Sequence, residues 1–279
     1  MIAATLAAAG AGAILMNLTV PAVLFGATLF IALVGFADDM KSIPALPRLL
    51  LQAVAVGATL YAAPVDLRIA PAVPLAFERA IVLLAGLWFV NLVNFMDGLD
   101  LMTVSEVVPI TTAMIVLGSL GEFPIPAMVV AAALCGAMVG FAPFNRPVAK
   151  VFLGDVGSLP IGLLVGWCLL QLAWREQLAS ALLLPLYYLS DSTVTLFRRI
   201  ANREPFWAAH RSHFYQRATD NGFTVQRVVG EVLALNSALA VLAIISIRIG
   251  SAAVDVFLLL TGGLAVAAIL CRFSRKRLP

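Results

Sequence analysis

Apolar runs of about 16 to 20 residues recur from one end of this chain to the other, and each approaches the ~20 residues a helix needs to cross a ~30 Å hydrocarbon layer. That pattern leaves few folds open. In lipid every backbone N–H and C=O must be satisfied within the protein, so a spanning segment is a helix or a strand of a closed barrel. The runs are too long and too continuous for barrel strands, which alternate polar and apolar residues over segments of about ten. Composition agrees, with 62% of the 279 residues hydrophobic and only 12% charged, whereas soluble domains carry about 45–50% and about 25%. The sequence predicts an all-α, polytopic transmembrane helical bundle of about ten helices.

The expected spans are roughly 1–17, 19–37, 46–63, 79–95, 103–119, 125–141, 159–174, 178–197, 229–247 and 252–271. Four polar connectors, Asp38–Arg48, Asn94–Asp100, Ala142–Ser158 and Arg198–Arg227, are separated by two spans each and so open on one side. Of the eighteen basic residues, the opposite side carries only Arg68, Arg79, Arg175 and Arg248. Basic residues are enriched in short cytoplasmic loops, which makes the four connectors cytoplasmic. The net charge of +3 thus follows topology and is no sign of a nucleic-acid partner.

Other features have structural explanations. Cys135, Cys168 and Cys271 lie in or at the end of apolar runs, with no C-x-x-C spacing, and read as small core residues. Gly136-x-x-x-Gly140 and Gly162-x-x-x-Gly166 are expected to let helices approach closely. Gly10-Ala11-Gly12 has no preceding strand, which argues against a nucleotide-binding turn.

The polar residues gather in four clusters on the predicted cytoplasmic side. Asp38 and Asp39 close one span; two like charges at a helix C-terminus oppose each other and the macrodipole, and so call for a cation or another positive partner. A solvated helix end is the alternative. In Asn91-x-x-Asn94-x-x-Asp97-Gly98-x-Asp100, helical spacing puts Asn91, Asn94 and roughly Asp97 on one face, before Gly98 permits a turn. Such amides and carboxylates suit a base, a ribose or a hydrated metal, or bridge two helices. Phe152-x-Gly154-Asp155-x-Gly157-Ser158 stands before a span whose first amides suit a phosphate. The fourth cluster, His210-Arg211-Ser212-His213-Phe214-Tyr215-Gln216-Arg217, holds both histidines and fits either phosphate oxygens or anionic lipid heads. Asp191 lies about two turns inside a span and must face the bundle interior, where it serves a site or a helix-packing hydrogen bond.

In order and spacing these clusters, from about Leu33 to Arg217, resemble the polyprenyl-phosphate N-acetylhexosamine-1-phosphate transferases, a glycosyltransferase family 4 type that includes phospho-N-acetylmuramoyl-pentapeptide transferase. Pro185 with Asp191-Ser192 and the following arginines resembles the family's helix leading into its histidine loop. The resemblance implies an enzyme that transfers an N-acetylhexosamine 1-phosphate from a UDP-N-acetylhexosamine to undecaprenyl phosphate with release of UMP. It further implies a bacterial inner membrane, an active site facing the cytoplasm, Mg2+ (with Mn2+ as a substitute) as cofactor, and room for a homodimer. By that analogy the catalytic residues are Asp38, Asp39, Asp97, Asp155 and His213, with Asp155 and Asp39 on the metal. Asn91, Asn94, Asp100, Phe152 and Arg211 would bind substrate. His213-Phe214-Tyr215-Gln216 departs from the family's His-x-His-His and is more like the branch initiating O-antigen lipopolysaccharide and capsule.

Two other classes remain as comparisons. A transporter would place its ionisable groups near midplane on broken helices, yet only Asp191 is clearly intramembrane. A noncatalytic scaffold gives the clusters no reason to share a face. Residues 1–279 read as a single membrane domain, expected to lack the family's N-terminal helix and first cytoplasmic loop, since only two spans precede Asp38.

Overall fold

A computed structural model describes residues 1–205 and 211–276; His210 and Arg277 lie outside the described residues. The ten expected spans all fold as helices. α1 (Ile2–Leu15), α2 (Ala22–Met40), α3 (Ala45–Tyr61), α4 (Leu75–Met96), α5 (Met102–Ser119), α6 (Ile125–Asn145) and α7 (Gly154–Ala173) follow in order. The span expected at 178–197 is two helices, α8 (Leu178–Leu183) and α9 (Leu186–Ala201). Between them Pro185 has no N–H to return to the preceding turn, so the helix breaks there. A short α10 (Phe214–Asp220) is followed by α11 (Val225–Ile249) and α12 (Ala252–Phe273), and no strand occurs among the described residues.

Seven of these, α2, α4, α5, α6, α7, α11 and α12, are long and apolar enough to cross a membrane, while α1 and α3 are apolar but shorter. The protein is a polytopic helical bundle. Its centre is α7, which packs against α2, α4, α6 and α8. The most apolar stretch of α7 is 72% buried inside the protein, against 22% for α12 at the periphery. Helices so different in burial share similar hydropathy because lipid and protein core are equally apolar surroundings.

Small residues set the closest contacts. A Cβ at Gly35 of α2 would collide with the Asp155 and Val156 backbone of α7, and one at Gly162 would come within 2.9 Å of Val90 Cα in α4. Gly162 and Gly166 therefore act as the close-approach face the sequence suggested. Gly136 and Gly140 do not: a Cβ on either would meet nothing within 4 Å, so this stripe packs against no described part of the chain. Cys271 also departs from expectation, since it is exposed, whereas Cys168 is buried and Cys135 intermediate.

Candidate active site

The connectors Asp38–Arg48, Asn94–Asp100 and Ala142–Ser158 meet at one end of the bundle, and what joins them is mostly carboxylate chemistry. Asp38 and Asp39 occupy the last turn of α2, where helix geometry sends them different ways. The Asp38 carboxylate accepts the Ile43 amide at 2.5 Å and the Arg48 guanidinium of α3 at 2.8 Å. Arg48 also lies 3.7 Å from Asp155 Oδ2, and the Asp38 and Asp155 carboxyls are in direct contact. The positive partner demanded by the acidic helix end is thus an arginine, shared by two acids.

Asp39 faces the start of α7. Its two oxygens accept the amides of Asp155 at 2.9 Å and Val156 at 3.0 Å. The local N-cap position, Leu153, offers no side-chain acceptor, so an acid from another helix satisfies the free amides and complements the helix dipole. Gly154 enters this turn with φ +60°, and a Cβ there would sit 2.7 Å from Asp39 Oδ2; both conditions favour glycine.

From α4, Asn94 Nδ2 donates to Asp155 Oδ1 at 2.6 Å and to Ser158 Oγ at 2.9 Å. Asp97, just past the end of α4, accepts the Thr103 hydroxyl at 2.5 Å. Desolvation and the neighbouring Asp155 charge push the Asp97 carboxyl up to about 7, with the Thr103 bond opposing them. Asp100 accepts the Ala149 amide at 3.0 Å, and Asn145 bridges the Leu101 amide and the Val151 carbonyl. These bonds fasten the 97–101 turn to the 146–151 segment.

The histidine loop docks beside this cluster. Tyr215 donates its hydroxyl to the Phe95 carbonyl at 2.9 Å, and the His213 ring lies 6.4 Å from Phe95 and 5.9 Å from Tyr215. Asp191 anchors it from within. Fully buried on α9, its carboxylate accepts the Phe214 amide at 3.0 Å and the Tyr215 amide at 3.1 Å, and lies 3.2 Å from His213 Nδ1. Asp191 faces inward, and its carboxylate caps α10; α9, which carries it, is not among the helices long and apolar enough to cross a membrane.

The structure thus brings together Asp38, Asp39, Asn94 and Asp155, with Asp97, Asp100 and His213 around them. Of the other expected site residues, the structure turns Asn91 elsewhere. Asn91 directs its amide to Gln52 Oε1 of α3 at 2.6 Å and to its own helix at Leu87, so it bridges helices. Phe152 is 71% exposed, and Arg211 is exposed next to the undescribed segment 206–210. Arg48 was missed by sequence reasoning, although the acidic doublet had signalled that some cation must answer it.

Among the described residues no group of three His, Cys, Asp or Glu side chains is arranged to hold a metal. Magnesium does not require one: it commonly takes one or two carboxylates, with substrate phosphates and waters completing its shell. The touching pair Asp38 and Asp155, balanced by a single guanidinium, fits that donor set.

A many-helix membrane bundle with an acidic, amide-lined site gathered at one end defines a polytopic membrane protein with its polar chemistry at that end. Residues 21–173 match Glycosyl transferase family 4, and the chain belongs to that family. Among similar proteins are the phospho-N-acetylmuramoyl-pentapeptide-transferases of Streptococcus pyogenes serotype M5 (strain Manfredo), serotype M4 (strain MGAS10750) and serotype M49 (strain NZ131). Each is 34% identical over 109 residues, which cover 39% of this chain and 31% of the relative. The matched stretch is thus about a third of the length of these relatives.

Proposed function

We propose that this chain transfers an N-acetylhexosamine 1-phosphate from a UDP-sugar to undecaprenyl phosphate, releasing UMP, at the cytoplasmic face of a bacterial inner membrane. The observation that carries the reading is the contact between Asp38 and Asp155 under a shared Arg48. Two acids on one guanidinium leave a site that favours a further cation and, through it, phosphate oxygens. The family match and the names of the relatives support the same class of reaction.

In this reading a phosphate oxygen of the lipid attacks the sugar-bearing phosphorus, the bond to the UMP oxygen breaks, and UMP leaves with that electron pair. The acceptor is a phosphomonoester with a second pKa near ~6, so at neutral pH it is mostly dianionic and needs little deprotonation. Asp38 therefore positions rather than removes a proton. Asp38 and Asp155 would hold Mg2+, which when bound neutralises charge on the diphosphate. Asn94 fixes the rotamer of Asp155 through its 2.6 Å bond, and Arg211 and His213 hold diphosphate oxygens. Phe152 and Asp97 border the uridine. The sequence His213-Phe214-Tyr215-Gln216 favours a role in initiating O-antigen or capsule synthesis.

Release of UMP from a panel of UDP-sugars, with undecaprenyl phosphate and Mg2+ and with a chelator control, tests the proposal. Release with one amino sugar is expected; no release with any sugar moves the reading to a noncatalytic scaffold. Cysteines at the exposed positions Ser42 and Asn202, in a background without native cysteines, should resist an impermeant thiol reagent applied from outside. A cysteine at Ala72 should react. The reverse pattern would place the acidic cluster on the wrong side of the membrane for a UDP-sugar.

A further inference from the structure

Where α12 ends, Phe223, Ala268, Cys271, Arg272, Arg275 and Lys276 line a cavity of about 410 Å³. We propose that this cavity binds the head group of an anionic membrane phospholipid. Basic residues at a helix end are by themselves unremarkable, since long cationic side chains reach toward the membrane surface wherever they occur there. What distinguishes this group is that Arg272, in the cavity wall, is held in place. Arg272 forms two bonds to Glu231, at 2.8 and 3.0 Å, and its guanidinium lies 5.5 Å from the Phe223 ring. Arg227 meets the same carboxylate at 3.0 Å and the same ring at 5.8 Å.

Glu231 neutralises one of those two arginines. One positive charge remains, and Arg275 and Lys276, both exposed, add two more. A surplus of cations at a membrane boundary recognises phosphate by charge and hydrogen bonding.

The surface leading to the cavity says what the phosphate is attached to. Leu260 and Leu264 are 63% and 73% exposed, and Ala268 and Cys271 are exposed as well. Recurring every third or fourth residue, these positions share one face of α12, and Arg275 follows two residues after its end. An apolar stripe that ends in a basic socket fits acyl chains below an anionic head, which free phosphate cannot match. The location carries a consequence for the loop that holds His213. Asn221, next after α10, donates to the Phe273 carbonyl at 2.7 Å, and the Phe223 and Phe273 rings pack edge to face at 5.8 Å. Phospholipid in the cavity therefore steadies the contact between α12 and α10.

Cys271 reports occupancy directly. In the full chain with Cys135→Ala and Cys168→Ala, in neutral detergent, phosphatidylglycerol should slow maleimide labelling of Cys271 about tenfold, and phosphatidylcholine should not. The double variant Arg275→Gln, Lys276→Gln should weaken phosphatidylglycerol protection about thirtyfold, as loss of two basic charges at a membrane surface implies. Equal protection by phosphatidylcholine, or by inorganic phosphate, overturns the proposal. So does stronger protection by undecaprenyl phosphate than by phosphatidylglycerol, which would make the cavity a second acceptor site. If the double variant does not fold, the comparison among the four probes on the unvaried basic residues still decides.

Discussion

Asp191 and the pair Asp38 with Asp155 both serve the region where the polar loops converge, but their surroundings differ in kind. The Asp191 carboxylate meets two amides, a histidine nitrogen and the hydroxyls of Tyr187 and Thr195, and is fully buried. Every lone pair has a use, so the acid is a structural fixture. Asp38 and Asp155 meet each other and share one arginine, with side chains 9% and 21% exposed. Their negative charge is only partly answered by protein, and the remainder is available to a ligand. Asp39, next to Asp38 in sequence and exposed, accepts two amides and so caps α7. Asp38 also has a donor on each oxygen, an amide and a guanidinium, so what sets the pair apart is that its one cation is shared between two acids.

The largest effect should come from Asp155→Asn, which keeps the side-chain shape and removes a charge. Transfer, measured as UMP release, is expected to fall about a thousandfold, with the thermal unfolding midpoint unchanged. A variant that loses stability and keeps its activity would place Asp155 among the structural acids. Next comes Asp191→Ala, which strands buried donors and should cost about 3 kcal/mol of stability, read as a lowered unfolding midpoint; an unaltered midpoint breaks the comparison from the other side. Asp39→Ala should cost about 1 kcal/mol, the worth of a helix cap, and lower activity less than Asp155→Asn does.

A pH titration sharpens the contrast further. The native Asp97 carboxyl stays protonated up to about pH 7, against an ordinary value of 3.8. Between those values the unfolded chain has released a proton that the native protein keeps. Stability from this group is therefore complete below the ordinary carboxylate range and is lost as pH rises toward 7. Asp97 is only half-buried, so the slope should be modest, and Asp97→Asn should flatten it in thermal melts from pH 5 to 8. The smallest effect belongs to Glu122→Gln at the opposite end of the bundle. Its partner Arg248 is 3.5 Å away in a largely exposed pair, so stability should move by less than about 0.5 kcal/mol and UMP release should not change.

Seven of the helical spans were legible because lipid sets a minimum length and an apolar composition for a crossing helix. The break at Pro185 was written in the residue itself, though the apolar residues around it hid its effect within a continuous run. Less could be read of α10, whose seven residues in a polar loop carry no apolar repeat; its helix depends on an acid 22 residues earlier in the chain. Gathering the clusters at one end followed from counting spans. The pairings within that end did not, because Asp38 with Arg48, Asn91 with Gln52 and Asp39 with the α7 amides depend on how neighbouring helices are rotated. One clue was available for the last of these. The start of α7 has no Ser, Thr, Asp or Asn at its N-cap, so its amides had to be satisfied from elsewhere.

Asp191 also has a history that the finished fold conceals. Its carboxylate is made before His213, Phe214 and Tyr215, so during synthesis α9 exists for a time without the donors that later surround this acid. A charged carboxylate is costly to bury before its partners arrive. The burial of Asp191 on α9 is therefore completed by residues made 22 to 24 positions later, and the packing of this helix depends on the docking of α10.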